Sequence, residues 1–185
     1  VTSTMMTSAQ GVAGKALSVK HASGIIAVTI LANFVGAFLF SLLVYLSGVL
    51  VSNQAAGEML EQVLQGRADQ SGVELFSRAI LCNMLVCLAI WMSTRVTAPG
   101  AKVAVIMLGI MAFVASGYEH VVANMTFYWL GVFAGDANAS ADLFATNMLL
   151  VGAGNFIGGG LIVGLGTWVI AGSPVYSRPL LSPSN

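Results

Sequence analysis

Charge is what this sequence has least of. Only 8% of its residues are Asp, Glu, Lys or Arg, where a water-soluble domain carries about a quarter. That shortage excludes an ordinary soluble globule. Seven Lys plus Arg against seven Asp plus Glu leave no net charge, so neither a nucleic-acid surface nor an acidic partner is implied. Cysteine is nearly absent as well. Cys82 and Cys87 lie in one apolar stretch with no CxxC or Cys/His cluster around them, so they read as small buried residues, and no cofactor or metal is expected. No proline occurs before Pro99. A signal peptide's basic start, apolar middle and cleavage site are missing too, and the chain starts at Val1, so its first residues read as cut from something longer.

Apolar length is what the sequence has in its place, since 57% of its residues are hydrophobic. A helix that crosses about 30 Å of hydrocarbon needs about 20 mostly apolar residues. Four segments qualify: residues 24–51, 75–94, 103–134 and 143–171. A fifth, 2–17, is too short. Lys and Arg are retained on the cytoplasmic side, and they fall at Lys15 and Lys20, at Arg95 and Lys102, and at Arg178. Those three places, the C-terminus among them, read as cytoplasmic. The loops holding Glu58, Glu61, Asp69 and Glu74, and Asp136 and Asp142, read as external.

The third segment would be about 48 Å long as one straight helix, and it carries Glu119, His120 and Asn124 near its middle. Irregular backbone and ionisable groups at that depth are tolerated where they line a cavity or are covered by protein. A break and a pore are therefore expected there, against the alternative of one tilted helix with these groups bonded to neighbours.

An internal repeat supports the same address. NFVGAFLFSLL from Asn33 and NFIGGGLIVGL from Asn155 align without a gap, and the loop charges make the two copies run in opposite directions. That is inverted-repeat architecture. Residues 1–51 read as the end of a first repeat and 75–171 as the second, within one channel domain over residues 1–185. The second copy has two spans before its Asn155 motif and the first has none, so about one and a half spans are expected upstream, six in all. Thr2 precedes Asn33 by roughly the distance that separates His120 from Asn155. The segment from Thr2 is then half of a second broken helix whose start faces His120.

Histidine suits an anion path because its reference pKa of about 6.5 lets it be a neutral donor or a transient cation near neutral pH. A permanent cation would hold the anion too firmly, whereas conduction needs entry without trapping. Thr2 adds a hydroxyl, and the half-helix starts add unpaired amides. Asn83, alone in an apolar span, either orients the imidazole and the loop or makes a plain interhelical bond. Glu119 should point away from an anion and pair with Arg67 or Arg78. Phe113 lies two turns before His120, either as an apolar constriction or as an ordinary packed ring. GxxxG pairs at Gly154/Gly158 and Gly160/Gly164 suit close helix contact.

ILCNMLVCLAIWMS from Ile80, AFVASGYEHVVANM from Ala112, GNFIGGGLIVGL from Gly154 and the opening VTSTMM resemble the formate/nitrite transporter family. The resemblance implies an all-α membrane protein, an aquaporin-like inverted-repeat helical bundle with broken helices, assembled as a homopentamer in a bacterial inner membrane. It implies His120 as the central pore histidine, Thr2 as its partner, Asn83 bonded to both, and Phe113 at the outer constriction. Asn124 is expected at the pore, and Arg67 as the partner of Glu119. The runs around Cys82 and Tyr118 look closer to nitrite channels than to formate ones. The function expected is passage of a small monovalent anion, nitrite first and formate or hydrosulfide next, with or without a proton. An aquaporin-like neutral-solute channel is the alternative from another class, although the paired Asn-Pro-Ala signature is missing. No nucleophile-base pair or cofactor motif suggests an enzyme.

Overall fold

A computed structural model describes residues 1–175, and among them every regular element is helical. Arg178, one of the charges expected on the cytoplasmic side, and the C-terminus lie outside the described residues. Helix α1 spans Thr2–Ala13 and is closed by Gly14 and by Lys15, which adopts a left-handed φ of 58°. Ser18 then caps α2, Val19–Leu46, its hydroxyl accepting from the His21 amide at 3.2 Å. The cap places the start of this helix before the expected residue 24, so Lys20 and His21 sit within its first turn. Its end also comes early, because Gly48 turns the chain at φ 70° into a single-turn α3, Val49–Ser52.

The expected external loop is largely helical. Asn53 caps α4, Gln54–Ala68, which buries Leu60 and Leu64 on one face, four residues apart. A capping box of Ser71 and Glu74 opens α5, Gly72–Ser93. Pro99 stands in the first turn of α6, Pro99–Ala115, where its missing N–H costs nothing. The chain then leaves helical geometry through residues 116–120, with Gly117 at φ 64°, and resumes as α7, Val121–Ala134. The third long segment is therefore two half-helices. The last span runs as α8, Ala141–Asn155, then ten π-helical residues, Phe156–Leu165, then α9, Gly166–Ile170.

Val19–Leu46, Gly72–Ser93 and Ala141–Ile170 are each long and apolar enough to cross a membrane. The halves α6 and α7 are shorter apolar helices that cross only together. Burial is uneven. Helix α5 buries six residues, among them Asn83 and Cys87, whereas α6 buries none and α2 buries only Ala22, Ala37 and Ser41. The polar groups gather at the centre, and large apolar side chains such as Leu43, Leu108 and Leu149 point outward. That inversion suits a chain solvated by lipid. Glycine sets the closeness of the central contact, because a Cβ at Gly154 would stand 2.7 Å from both the Ala79 side chain and the Phe76 carbonyl.

Candidate functional site

His120 sits at the end of the α6/α7 break with extended backbone, φ −116° and ψ 115°. In extended chain successive side chains point to opposite sides, which separates it from Glu119. Its Nδ1 accepts from the Ala123 amide at 3.2 Å, so the neutral ring carries its proton on Nε2. The group free to donate is thereby chosen by the fold. Phe113 stacks on the imidazole, with ring centroids 5.6 Å apart and planes 18° from parallel.

The break is held by Asn155, which is fully buried. Its Oδ1 accepts from the Val121 amide at 3.0 Å, and its Nδ2 donates to the Glu119 carbonyl at 3.0 Å and to the Ala79 carbonyl at 2.8 Å. One side chain therefore grips the backbone on both sides of His120 and ties it to α5. Asn83, also fully buried, donates to the Asn155 carbonyl at 2.6 Å and to the Thr2 carbonyl at 3.3 Å. The Cys87 thiol adds weak bonds to the Thr2 carbonyl and to Asn83 Oδ1. Through these two asparagines the start of α1 and the α6/α7 break are fastened to one frame. Val1 also packs against the apolar cluster that contains Val121. Asn83 reaches Thr2 through the backbone, but no hydrogen bond joins it to His120 among the described residues.

Of the amides expected to be free at the two half-helix starts, Val121 and Ala123 are already taken, by Asn155 and by His120 itself. The start of α1 carries no side-chain cap, so the amides left to solvate a ligand are mainly its own.

Glu119 points the other way, its side chain only 3% exposed, and meets Arg67 Nε at 3.3 Å. Asn124 donates to Glu119 Oε2 at 2.7 Å and to Asn147 Oδ1 at 2.8 Å, and accepts from Arg67 Nε at 3.1 Å. Gln70 reaches Glu119 Oε1 at 3.4 Å, and the Arg67 guanidinium lies over the Phe127 ring at 4.6 Å. Arg67, not Arg78, is thus the partner. Asn124, expected at the pore, lies in this ion-pair network with Glu119, whereas Phe113 stacks on His120 and Thr2 is tied to Asn83. The physical reason is helical: Asn124 stands one turn into α7, on the face turned to α4 and α8. Sequence reasoning missed the part played by Asn155, although the residue was visible as the first letter of the repeated motif, and it missed Asn147 and Gln70, which carried no pattern.

An all-helical membrane protein of inverted repeats, aquaporin-like, with discontinuous helices meeting at a polar centre, is the class that this fold and site define. The family model described as "Formate/nitrite transporter" matches residues 1–169, and the chain belongs to that family. It is 36% identical over 157 residues to the formate channel FocA of Escherichia coli strain K12, covering 75% of this chain and 55% of that protein. It is 35% identical over 175 residues to the nitrite transporter NirC of the same strain, covering 92% of this chain and 63% of that protein. The chain thus spans somewhat over half the length of these curated relatives. A solved FNT family ion channel superposes with a TM-score of 0.83 at 35% identity, over 91% of this chain and 68% of that one. A pentameric formate channel with formate bound gives 0.73 at 25% identity, over 84% and 68%.

Proposed function

We propose that this chain forms part of a membrane channel for a small monovalent anion, nitrite in the first place, with His120 donating a hydrogen bond or a proton to it. The observation that carries the reading is the bond from the Ala123 amide to His120 Nδ1, which leaves Nε2–H as the ring's donor to an anion at the break. An anion there meets a donor, the Thr2 hydroxyl and the first amides of α1, with Glu119 turned away and neutralised by Arg67. For His120 to give a proton rather than a hydrogen bond, the ring first takes one from water at Nδ1 in place of the Ala123 bond. The imidazolium then protonates the weak acid's anion and is neutral again, and the neutral acid passes Phe113 and releases its proton to water beyond.

Two observations support putting nitrite before formate: the NirC relative matches over 92% of this chain and the FocA relative over 75%, and Tyr118 stands within the break. Formate is the second reading, favoured by the solved neighbour that binds it. The same neighbour supports a homopentamer, the bacterial relatives support a bacterial inner membrane, and the loop charges support a cytoplasmic C-terminus.

Flux of nitrite and of formate into liposomes that hold the whole protein tests the reading. His120→Ala removes a hydrogen bond to a charged group, worth about 1.5–3 kcal/mol, so anion flux should fall about 10- to 100-fold. Undiminished flux would overturn the role of His120. Osmotic swelling without anion current would favour a neutral-solute channel instead.

A further inference from the structure

Helix α1 from Met6 onward and the C-terminal ends of α5 and α9 line a cavity of about 440 Å³ that includes none of His120, Phe113, Thr2 or Asn83. Its floor is apolar, with Met6 and Ala16 buried and Ile90 half-buried. Its rim is polar and cationic. The Arg95 guanidinium stands 3.9 Å over the Trp91 ring and bonds the Thr94 hydroxyl at 3.3 Å, and the exposed Thr7, whose hydroxyl donates to the Ser3 and Thr4 carbonyls, lines the opening beside it. Lys15 directly precedes the lining residue Ala16. Lys15, Lys20, Arg95 and Lys102 all belong to this end of the bundle, and none of the seven acids does: six lie toward the α4 end, and Glu119 is at the break. The dipoles at the three helix ends oppose an anion, but each amounts to about half a charge at most and fades within a turn.

We propose that this cavity is a headgroup site for an anionic phospholipid of the adjoining leaflet. Trp91 and Trp168 both line it, and indoles settle at the depth of lipid headgroups, so the opening lies where phosphate and glycerol lie. The phosphate pairs with Arg95 at the rim, and the glycerol and first methylenes cover Met6 and Ile90. Basic pockets between spanning helices on the cytoplasmic side have the charge that such lipids need. The site is independent of which anion crosses the channel.

Native mass spectrometry of the whole protein, exchanged into nanodiscs of phosphatidylglycerol mixed with phosphatidylcholine, reads the lipid retained per protomer. Retention should favour phosphatidylglycerol, fall about fivefold in Arg95→Gln, as expected for one basic group near the surface, and hold in Arg78→Gln at the other end. Arg95→Lys should recover part of it. Should Arg95→Gln not assemble, Thr7→Phe, which fills the mouth without touching a charge, should lower retention in the same way. Equal retention of both lipids, retention that ignores both Arg95→Gln and Thr7→Phe, or displacement of the lipid by millimolar nitrite would overturn the proposal, the last marking the cavity as a vestibule for the permeant ion.

Discussion

The two copies of the repeated motif share five of eleven letters, among them Asn and the Gly three residues on, and meet opposite surroundings. Asn155 is fully buried and its amide holds three backbone groups of α5 and the break. Asn33 is half-buried, and its amide turns back to its own helix, to the Thr29 carbonyl at 2.7 Å. Gly158, three residues after Asn155, packs against the Ile80 carbonyl, and Gly159 against Asn83. Gly36, three residues after Asn33, has no atom within 4 Å of the place a Cβ would occupy, and it borders an open groove with Val122 and Thr126. An Asn-x-x-Gly stretch on a spanning helix is thus a latent clamp. It closes only on a helix packed against the glycine.

The largest effect that sharpens this contrast is expected at Gly158. A methyl group there collides with the backbone of Ile80, which cannot rotate aside as a side chain can, so Gly158→Ala should cost about 3 kcal/mol or more. Thermal unfolding in detergent should show a large drop, with anion flux lost alongside it. An unchanged midpoint would mean that α5 and the π-helical stretch are not held at this distance.

Asn155→Ala should come next. It leaves the Val121 amide and the Glu119 carbonyl buried without partners, at about 1–3 kcal/mol for each group that water cannot reach, while the Ala79 carbonyl remains within the α5 ladder. Loss should be about 3 kcal/mol, because relaxation of the break lets some of them find water. Amide hydrogen exchange at Val121 should accelerate more than exchange in α2, since the amide freed is the one that Asn155 holds.

Much of this arrangement is legible in the sequence, and the missing parts share a cause. The spans follow from apolar length, and the break follows from an over-long segment with ionisable residues at its middle, because both are local or compositional signals. Helix α4 escaped since its charged residues mask two buried leucines one turn apart, and a search for 20-residue apolar runs passes over an amphipathic helix of 15 residues. The start of α2 was displaced because Ser18 caps it ahead of the apolar run. The bonds of Asn155 join residues 34 to 76 positions apart, so no window of sequence contains them. Asn124 illustrates the limit differently: its nearness to His120 in the chain suggested the pore, but one helical turn carries it to the opposite face.

A smaller effect is expected from the ion pair. Glu119→Gln leaves Arg67 with a partner that is polar but uncharged, and since the Arg67 side chain is 20% exposed, water offsets part of the loss. About 2 kcal/mol is expected, below the range for fully buried pairs. Adding Arg67→Met should return most of that stability, a coupling that a double-mutant cycle measures. If the single variant is neutral, the network of Asn124, Asn147 and Gln70 carries the contact without the charge.

The smallest effects belong to the first copy of the motif, and they decide whether the contrast is one of surroundings. Gly36→Ala meets no steric opposition in this structure and replaces the poorest helix former except proline with the best, so it should stabilise α2 by up to about 1 kcal/mol. Asn33→Ala should change stability by less than about 0.5 kcal/mol, because the Thr29 carbonyl it frees remains within the α2 ladder. Both values are to be measured in the whole protein by thermal unfolding, beside Gly158→Ala and Asn155→Ala. Should Gly36→Ala instead destabilise by several kcal/mol, a helix in the whole protein lies against the Gly36 groove and clamps the first motif as α5 clamps the second. The asymmetry would then come from what faces each copy, and the repeat would be functionally symmetric about the pore.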